Sequence, residues 1–481
     1  LPGFAADMHV VWATQLSPPV GATPGENHAT PVLSPDNTRL YVGGPNSKLS
    51  AVDAVDGTLL WTLTLGDGTG TILQTAAVAA DGTLYVGVWD NTSPYDGFCK
   101  IRDEGDHGTI VWTFPLRRAL ASPTITPDGL IIVGGEHQTL GWQHYALTDL
   151  GDTYEITWSA AADTTSSARI GGTPALSPDG DWLFAATYKN QTFWQLDAAT
   201  GDVTVQQPLD YYCLAPSPVV NAAGCAFIGE GMSTQTPDDQ TQGKLYAFEP
   251  DAGGVVQLLG SLPLLAGHLN GGTAALRERL DGTTRLYVPA NGYGKTSAKL
   301  IAVDFDPEAA HGEPPTSGLT KVWEVPLGTS VRTYPQAVVT ADRLVYVLGP
   351  VNHQLYGIRD ADDEGRTLWT VPLTTITRVT GWQPGTAVGP QGVTVGPDGT
   401  LYWHAIDGYL YALRGWISGD LDGDGELTTL DLHFMAIALV DPAQFAVRFP
   451  EIDINVVGDL TGDERVNFFD LNRLIEVLAG E

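Results

Sequence analysis

The chain has 481 residues, 43% of them hydrophobic, and 56 acidic against 24 basic side chains, for a formal net charge of −32. That length exceeds one ordinary domain and suits a large domain with a small one beside it. A surface this acidic repels nucleic acid and anionic membranes, and no apolar run approaches the ~18 residues that cross a bilayer, so nucleic-acid binding and a membrane span are both excluded.

Taken in order, the chain opens with one stray strand. His9 to Leu16 reads as an apolar strand carrying Trp12, with nothing like it before it. A repeating unit follows. The first copy runs from Thr30 to about Leu65: an apolar strand, a Pro-Asp-Asn turn, a second strand at Leu40–Gly43, a third at Leu49–Val52, an Asp-Gly turn and a fourth strand through Trp61. Four short strands with tight turns make one antiparallel sheet. Further copies run from Thr75 to Trp112 and from Ser122 to Trp158. The fourth starts at Gly172 and has Val205 where the others have Trp; the fifth starts near Ser217 and also lacks the Trp. The sixth runs from about Gly271 to Trp323, the seventh from Tyr334 to Trp369, and the eighth from about Thr386 to Gly415. Copies five and six are long and irregular, which leaves a count of seven open.

Copy eight stops before its fourth strand. The stray strand at His9–Leu16 supplies what is missing, and joining the two ends closes a ring of sheets. The expected fold is therefore an all-β eight-bladed propeller over residues 1–415, its N-terminal strand completing the last blade, followed by a small α-helical domain over 416–481. These copies resemble the PQQ-like, or quinoprotein-type, β-propeller repeat. The resemblance rests on Asp53-x-x-x-Gly57-x-x-x-Trp61, Asp103 to Gly108 and Trp112, Asp197-x-x-Thr200-Gly201, and Asp360 to Gly365 and Trp369, within residues 9–415. In physical terms the Asp and Gly shape the turn between strands three and four, and the Trp wedges between blades with its N–H on a backbone carbonyl.

The resemblance implies two kinds of relative, one that binds the quinone cofactor with calcium and oxidises alcohols or sugars, and one that serves as scaffold. The adjacent cysteine pair of the alcohol-oxidising branch is missing. Cys99, Cys213 and Cys225 fit no zinc or redox spacing; Cys213 and Cys225 suit either a cross-hairpin disulfide or two small buried side chains. Arg117, Arg118, Arg169, Arg332 and Arg378 each precede a copy, where they suit ion pairs better than a tricarboxylate. PQQ is not expected, and whether the propeller is an enzyme is left undecided, with the balance against catalysis.

The tail carries the sharpest motif. Asp420-Leu-Asp422-Gly-Asp424-Gly425-Glu426-Leu-Thr428-Thr-Leu-Asp431 puts oxygen donors at loop positions 1, 3, 5, 9 and 12, the spacing of a calcium loop. Asp420, Asp422, Asp424 and Asp431 are side-chain ligands, Glu426 acts through its carbonyl and Thr428 through a water. The frame returns 39 residues later with Asp459, Thr461, Asp463, the Arg465 carbonyl, Asn467 and Asp470. Thr461 replaces a stronger donor, and Glu464 stands where the turn favours Gly, a mismatch of about 1 kcal/mol. Two Ca2+ sites are expected, the second weaker.

Paired loops, each followed by a helical pattern and ending on Asp, resemble a type I-like dockerin over about residues 418–481. The resemblance implies a protein partner, a cohesin-like domain, contacted through loop positions 10 and 11: Thr429 and Leu430 in one copy, Phe468 and Phe469 in the other. One of the phenylalanines packing inside the small domain is an equal alternative. Only Trp416-Ile-Ser-Gly joins the propeller to the first ligand, too short for a flexible tether. That favours ordered assembly, in which the partner is another copy of the chain. The expected function is a secreted, extracellular, non-catalytic calcium-dependent interaction or assembly protein; the alternative is a quinoprotein dehydrogenase or carbohydrate-active propeller anchored through its dockerin. The start at Leu1 suits a chain whose targeting peptide has been removed. The acid excess outside the tail suits a saline habitat, with further cation binding as the other reading.

Overall fold

The computed structural model describes residues 4–16, 29–89, 97–119, 121–161, 172–187, 191–210, 217–230, 242–266, 273–290, 297–312, 316–329, 334–341, 343–349, 354–371, 390–405, 408–417, 419–423, 427–449, 452, 454–461 and 465–479. Each sequence copy is one antiparallel sheet with its strands in chain order. Blade 1 is Val32–Leu33, Arg39–Gly43, Lys48–Asp53 and Leu59–Thr64. Its second and third strands are buried on both faces, as their apolar runs dictate, while the fourth alternates between buried and exposed. Blade 8 is Thr394–Val395, Leu401–His404 and Tyr409–Ile417, with Phe4–Gln15 as its outer strand. The molecule is thus an eight-bladed β-propeller whose last sheet takes its outer strand from the N-terminal end of the chain. Copy six owes its irregularity to an insertion, the one-turn helix Pro307–Ala310, capped by Asp306.

A chain of hydroxyls links the innermost strands. The Thr75 N–H donates to Ser122 Oγ (3.1 Å), the Ser122 N–H to Thr173 Oγ1 (3.2 Å), the Thr173 N–H to Ser217 Oγ (2.9 Å) and the Ser217 N–H to Thr273 Oγ1 (3.3 Å). The Gly392 N–H of blade 8 reaches Thr30 Oγ1 of blade 1 at 3.0 Å. The Ser or Thr before Pro or Ala at the start of copies one, three, four, five and six therefore hands a hydroxyl to the preceding blade. Ser122→Ala removes one acceptor and strands the Thr75 N–H; the expected loss is about 1 kcal/mol in urea unfolding, while Ser122→Thr keeps the bond and is near neutral.

The motif aspartates do more than shape turns. Asp103 of blade 2 accepts from Trp61 Nε1 (2.9 Å), Tyr41 Oη (2.8 Å) and Arg39 Nη1 (2.6 Å), all on blade 1. Asp149 of blade 3 takes Trp112 Nε1 (3.2 Å), Tyr85 Oη (2.7 Å) and Lys100 Nζ (2.5 Å) from blade 2. Asp360 of blade 7 takes Trp323 Nε1 (3.0 Å), Tyr287 Oη (2.6 Å), Arg277 (3.1 Å) and Arg285 (2.7 Å) from blade 6. Trp, Tyr and a cation of one blade thus converge on one carboxylate of the next. The expected backbone partner for the Trp N–H is met at Trp158, which donates to the Ala198 carbonyl (3.0 Å). Blade 3 has Ile132 at the Tyr position, so no phenol competes for that site. Gly201 and Gly365 form the floor under the wedge: a Cβ there would lie 2.5 Å from the Trp158 ring and 2.7 Å from the Trp323 ring.

Where the Trp is missing, the joint is rebuilt. Between blades 4 and 5, Phe193 stacks on Phe248 with centroids 4.0 Å apart. The fully buried Gln195 donates to the Gly254 carbonyl (2.6 Å) and accepts from the Val256 N–H (2.9 Å). Cys99 and Cys225 are both buried, and Cys213 lies outside the described residues. No described helix is long and apolar enough to cross a membrane.

Candidate metal centre

The tail has a core of its own, built from Leu421, Phe434, Met435, Ala438, Phe445, Val457 and Leu474. The helix Thr429–Val440 follows the first loop and Phe468–Ala479 the second, as the patterns predict. Two shorter helices, Pro442–Arg448 and Ile454–Val457, are not anticipated from the repeat. The first was legible in Asp441-Pro442: the Asp441 carboxylate caps the Gln444 N–H at 3.0 Å, and Pro suits the first helical position. Arg448 lies over the Phe434 ring, 4.7 Å from its centroid, and covers one edge of this core.

In the first loop Asp420, Asp422 and Asp431 each bring a carboxylate oxygen to within 4.8 Å of the others. Asp420 and Asp431 are buried, Asp431 completely. The Asp431 carboxylate accepts the Leu421 N–H and the Thr428 N–H, each at 2.7 Å, and Asp420 accepts the Gly423 N–H at 2.8 Å. Thr428 caps the following helix, its hydroxyl accepting the Leu430 N–H at 3.1 Å. Loop and helix start are therefore one hydrogen-bonded unit, with position 12 of the loop serving as the third residue of the helix. Hard oxygen donors converging at this separation fit a divalent cation such as Ca2+. Asp424, Gly425 and Glu426 lie outside the described residues.

The second loop repeats this plan. The fully buried Asp470 accepts the Thr461 N–H (2.9 Å), the Asn467 N–H (2.8 Å) and the Thr461 hydroxyl (2.9 Å). Burial pushes the Asp470 carboxyl up, but these donors and the Leu460 N–H together hold it below the usual carboxylate range. Thr461 thus meets the position-12 carboxylate as a donor, and Asp459 lies 3.5 Å from the Thr461 hydroxyl. Arg465 is exposed and Asn467 half-buried; Asp463 and Glu464 lie outside the described residues. Gly419 joins the loops, its N–H donating to the Val457 carbonyl at 2.7 Å.

Both phenylalanines at positions 10 and 11 of the second loop face solvent, Phe468 at 69% and Phe469 at 72% exposure, so neither packs into the small core. Leu430, at position 11 of the first loop, is also exposed. On the propeller, Arg117 makes a two-pronged pair with Glu136 (2.9 and 3.0 Å), and Arg118 adds a contact at 3.2 Å. Arg169, Arg332 and Arg378 lie outside the described residues.

No family model matches the chain. The curated "Protein Rv3035" of Mycobacterium tuberculosis (strain ATCC 25618 / H37Rv) is 31% identical over 112 residues, 23% of this chain, and the match spans only 26% of that protein's length. Among solved structures, a europium-containing methanol dehydrogenase matches 86% of this chain and 95% of its own at 13% identity and a TM-score of 0.55. The quinohemoprotein alcohol dehydrogenase ADHIIG from Pseudomonas putida HK5 matches 86% of this chain and 78% of its own at 14% identity and a TM-score of 0.50. At such identities the likeness shows the fold alone: an eight-bladed propeller of the kind found in quinoprotein dehydrogenases.

Proposed function

We propose that the chain is a secreted calcium-dependent interaction protein, in which the propeller is a non-catalytic scaffold and the tail a dockerin-like docking module. Its partner is a cohesin-like domain or another copy of the chain. The observation that carries this reading is the exposed Phe468–Phe469 pair, at loop positions 10 and 11, directly before a position-12 carboxylate that is fully buried. Metal in the loop fixes the start of the helix that presents the two rings, so binding and presentation are coupled.

The test compares calcium with chelator on the full chain, by light scattering at high concentration and by retention on an immobilised cohesin domain. Association in calcium that is lost in chelator, and lost in Phe468→Ser/Phe469→Ser with calcium binding intact, supports the reading. A chain that neither self-associates nor is retained in calcium overturns it. The fold shared with two dehydrogenases keeps one rival, a quinoprotein dehydrogenase carried by its tail. Dye reduction with alcohols or sugars after adding quinone and calcium is its signature.

A further inference from the structure

His144 breaks the internal repeat. It stands opposite Gly134 on the third strand of blade 3. The residues in the same register elsewhere are Leu49, Phe98, Phe193, Leu245, Leu300 and Leu355, all apolar. Its partner on the fourth strand is small as well: Ala160, where blades 1 and 2 have Leu63 and Phe114. The imidazole is 2% exposed, and neither ring nitrogen has a hydrogen-bond partner.

Strand alternation puts His144 on the face of Ala146, which packs against Leu183, Ala185 and Trp194 of blade 4. Among the described residues the charged groups of the neighbouring strands are engaged elsewhere. Glu136 is held by Arg117 and Arg118, and Asp149 by Lys100. His137 lies on the opposite face, against Phe114 and Tyr145. Glu155 sits at the far end of the strand Tyr154–Ala161, paired with Thr148. In blade 4, Trp182–Thr187 carries no charge, and Thr192–Asp197 carries only Asp197, which accepts the Ala199 and Thr200 N–H groups.

We propose that His144 is an acid-responsive weak point in the joint between blades 3 and 4: taking up a proton there loosens the joint and with it the ring. An unpaired cation is badly solvated in an apolar joint, and among the described residues no carboxylate stands ready to receive it. Burial pushes the His144 pKa down from 6.5 to about 4. The folded form therefore resists protonation while the unfolded chain accepts it. Stability is complete above about pH 6.5 and falls as the pH drops toward about 4, at up to tenfold in the folding constant per pH unit.

The experiment is urea unfolding of the full chain in excess calcium, from pH 7.5 to pH 5, for the parent and for His144→Leu, the residue that blades 1, 5, 6 and 7 carry there. The parent is expected to lose about tenfold or more in folding constant over that range. The variant should keep most of this and be at least as stable at pH 7.5. Parallel pH profiles for the two proteins overturn the proposal. His144→Gln, polar but not titrating, guards against a packing artefact: it should flatten the profile as well, and an undiminished acid slope in it also refutes the proposal. Hydrogen exchange, corrected for intrinsic rates, should show blades 3 and 4 opening first at pH 5; uniform opening of all blades counts against a local weak point.

Discussion

Asp360→Ala is expected to lower the stability of the propeller by about 3 kcal/mol or more, because it strips several buried donors of one shared acceptor, although the buried Arg285 keeps Asp304 as its second carboxylate. Asp360 is 1% exposed, and so is Arg285, which donates to it at 2.7 Å. The same carboxylate receives Tyr287 and Trp323, so these two and the Nη1 of Arg285 lose an acceptor together. Asp103→Ala makes the instructive contrast. Its cation, Arg39, has a side chain 30% exposed and can turn to water, so the expected loss is smaller, about 1–3 kcal/mol. Urea unfolding followed by tryptophan fluorescence measures both. Equal losses would show that the tyrosine and tryptophan bonds dominate the joint and that the buried cation does not.

These joints also define an acid limit separate from that of His144. Burial pushes Asp103, Asp149 and Asp360 up, but the donors around each outweigh it and hold all three below the usual carboxylate range. Their contribution is present above the ordinary carboxyl pKa of 3.8 and is lost as the pH falls through the lower folded values. Weakening above pH 5 therefore belongs to histidine, and weakening below about pH 4 to the joint carboxylates.

Asp431→Ala is expected to abolish calcium binding at the first loop and to loosen the tail even without metal. Asp431 is fully buried and accepts two backbone N–H groups at 2.7 Å, so its removal costs about 1–3 kcal/mol in the apo tail. It also removes the stabilisation that calcium confers, about 4 kcal/mol at a thousandfold excess over the dissociation constant. Calorimetric titration of the full chain should lose its tighter event, and the calcium-induced rise in the unfolding temperature of the tail should shrink. Asp470→Ala should remove only a weaker event. If Asp431→Ala leaves the tighter event unchanged, the first loop is not the stronger site.

The blades were legible because the repeat shows its turns and apolar strands directly, and the missing last strand has its counterpart at the other end of the chain. The joints were less so. A motif displays Asp103 as a turn former; that it accepts from Trp61, 42 residues earlier, depends on how one blade is placed against the next. The hydroxyl chain was present in the repeat as Ser or Thr at the start of the first six copies, but a hydroxyl before Pro reads equally well as a turn residue. His144 is visible only once register aligns it with Leu49 and its equivalents. In the tail, the loop donors and the following helices come straight from spacing, whereas the exposure of Phe468 and Phe469 depends on packing that spacing does not encode.

The shared last sheet has a consequence for how the molecule is made. Seven blades draw all four strands from one continuous stretch and can form as that stretch leaves the ribosome. The eighth pairs Phe4–Gln15 with Tyr409–Ile417, so its first strand must wait for nearly the whole propeller to be synthesised. Closing so long a loop is entropically late and slow. Until then the early strand has an open edge, the segment on which chaperone protection during synthesis would act.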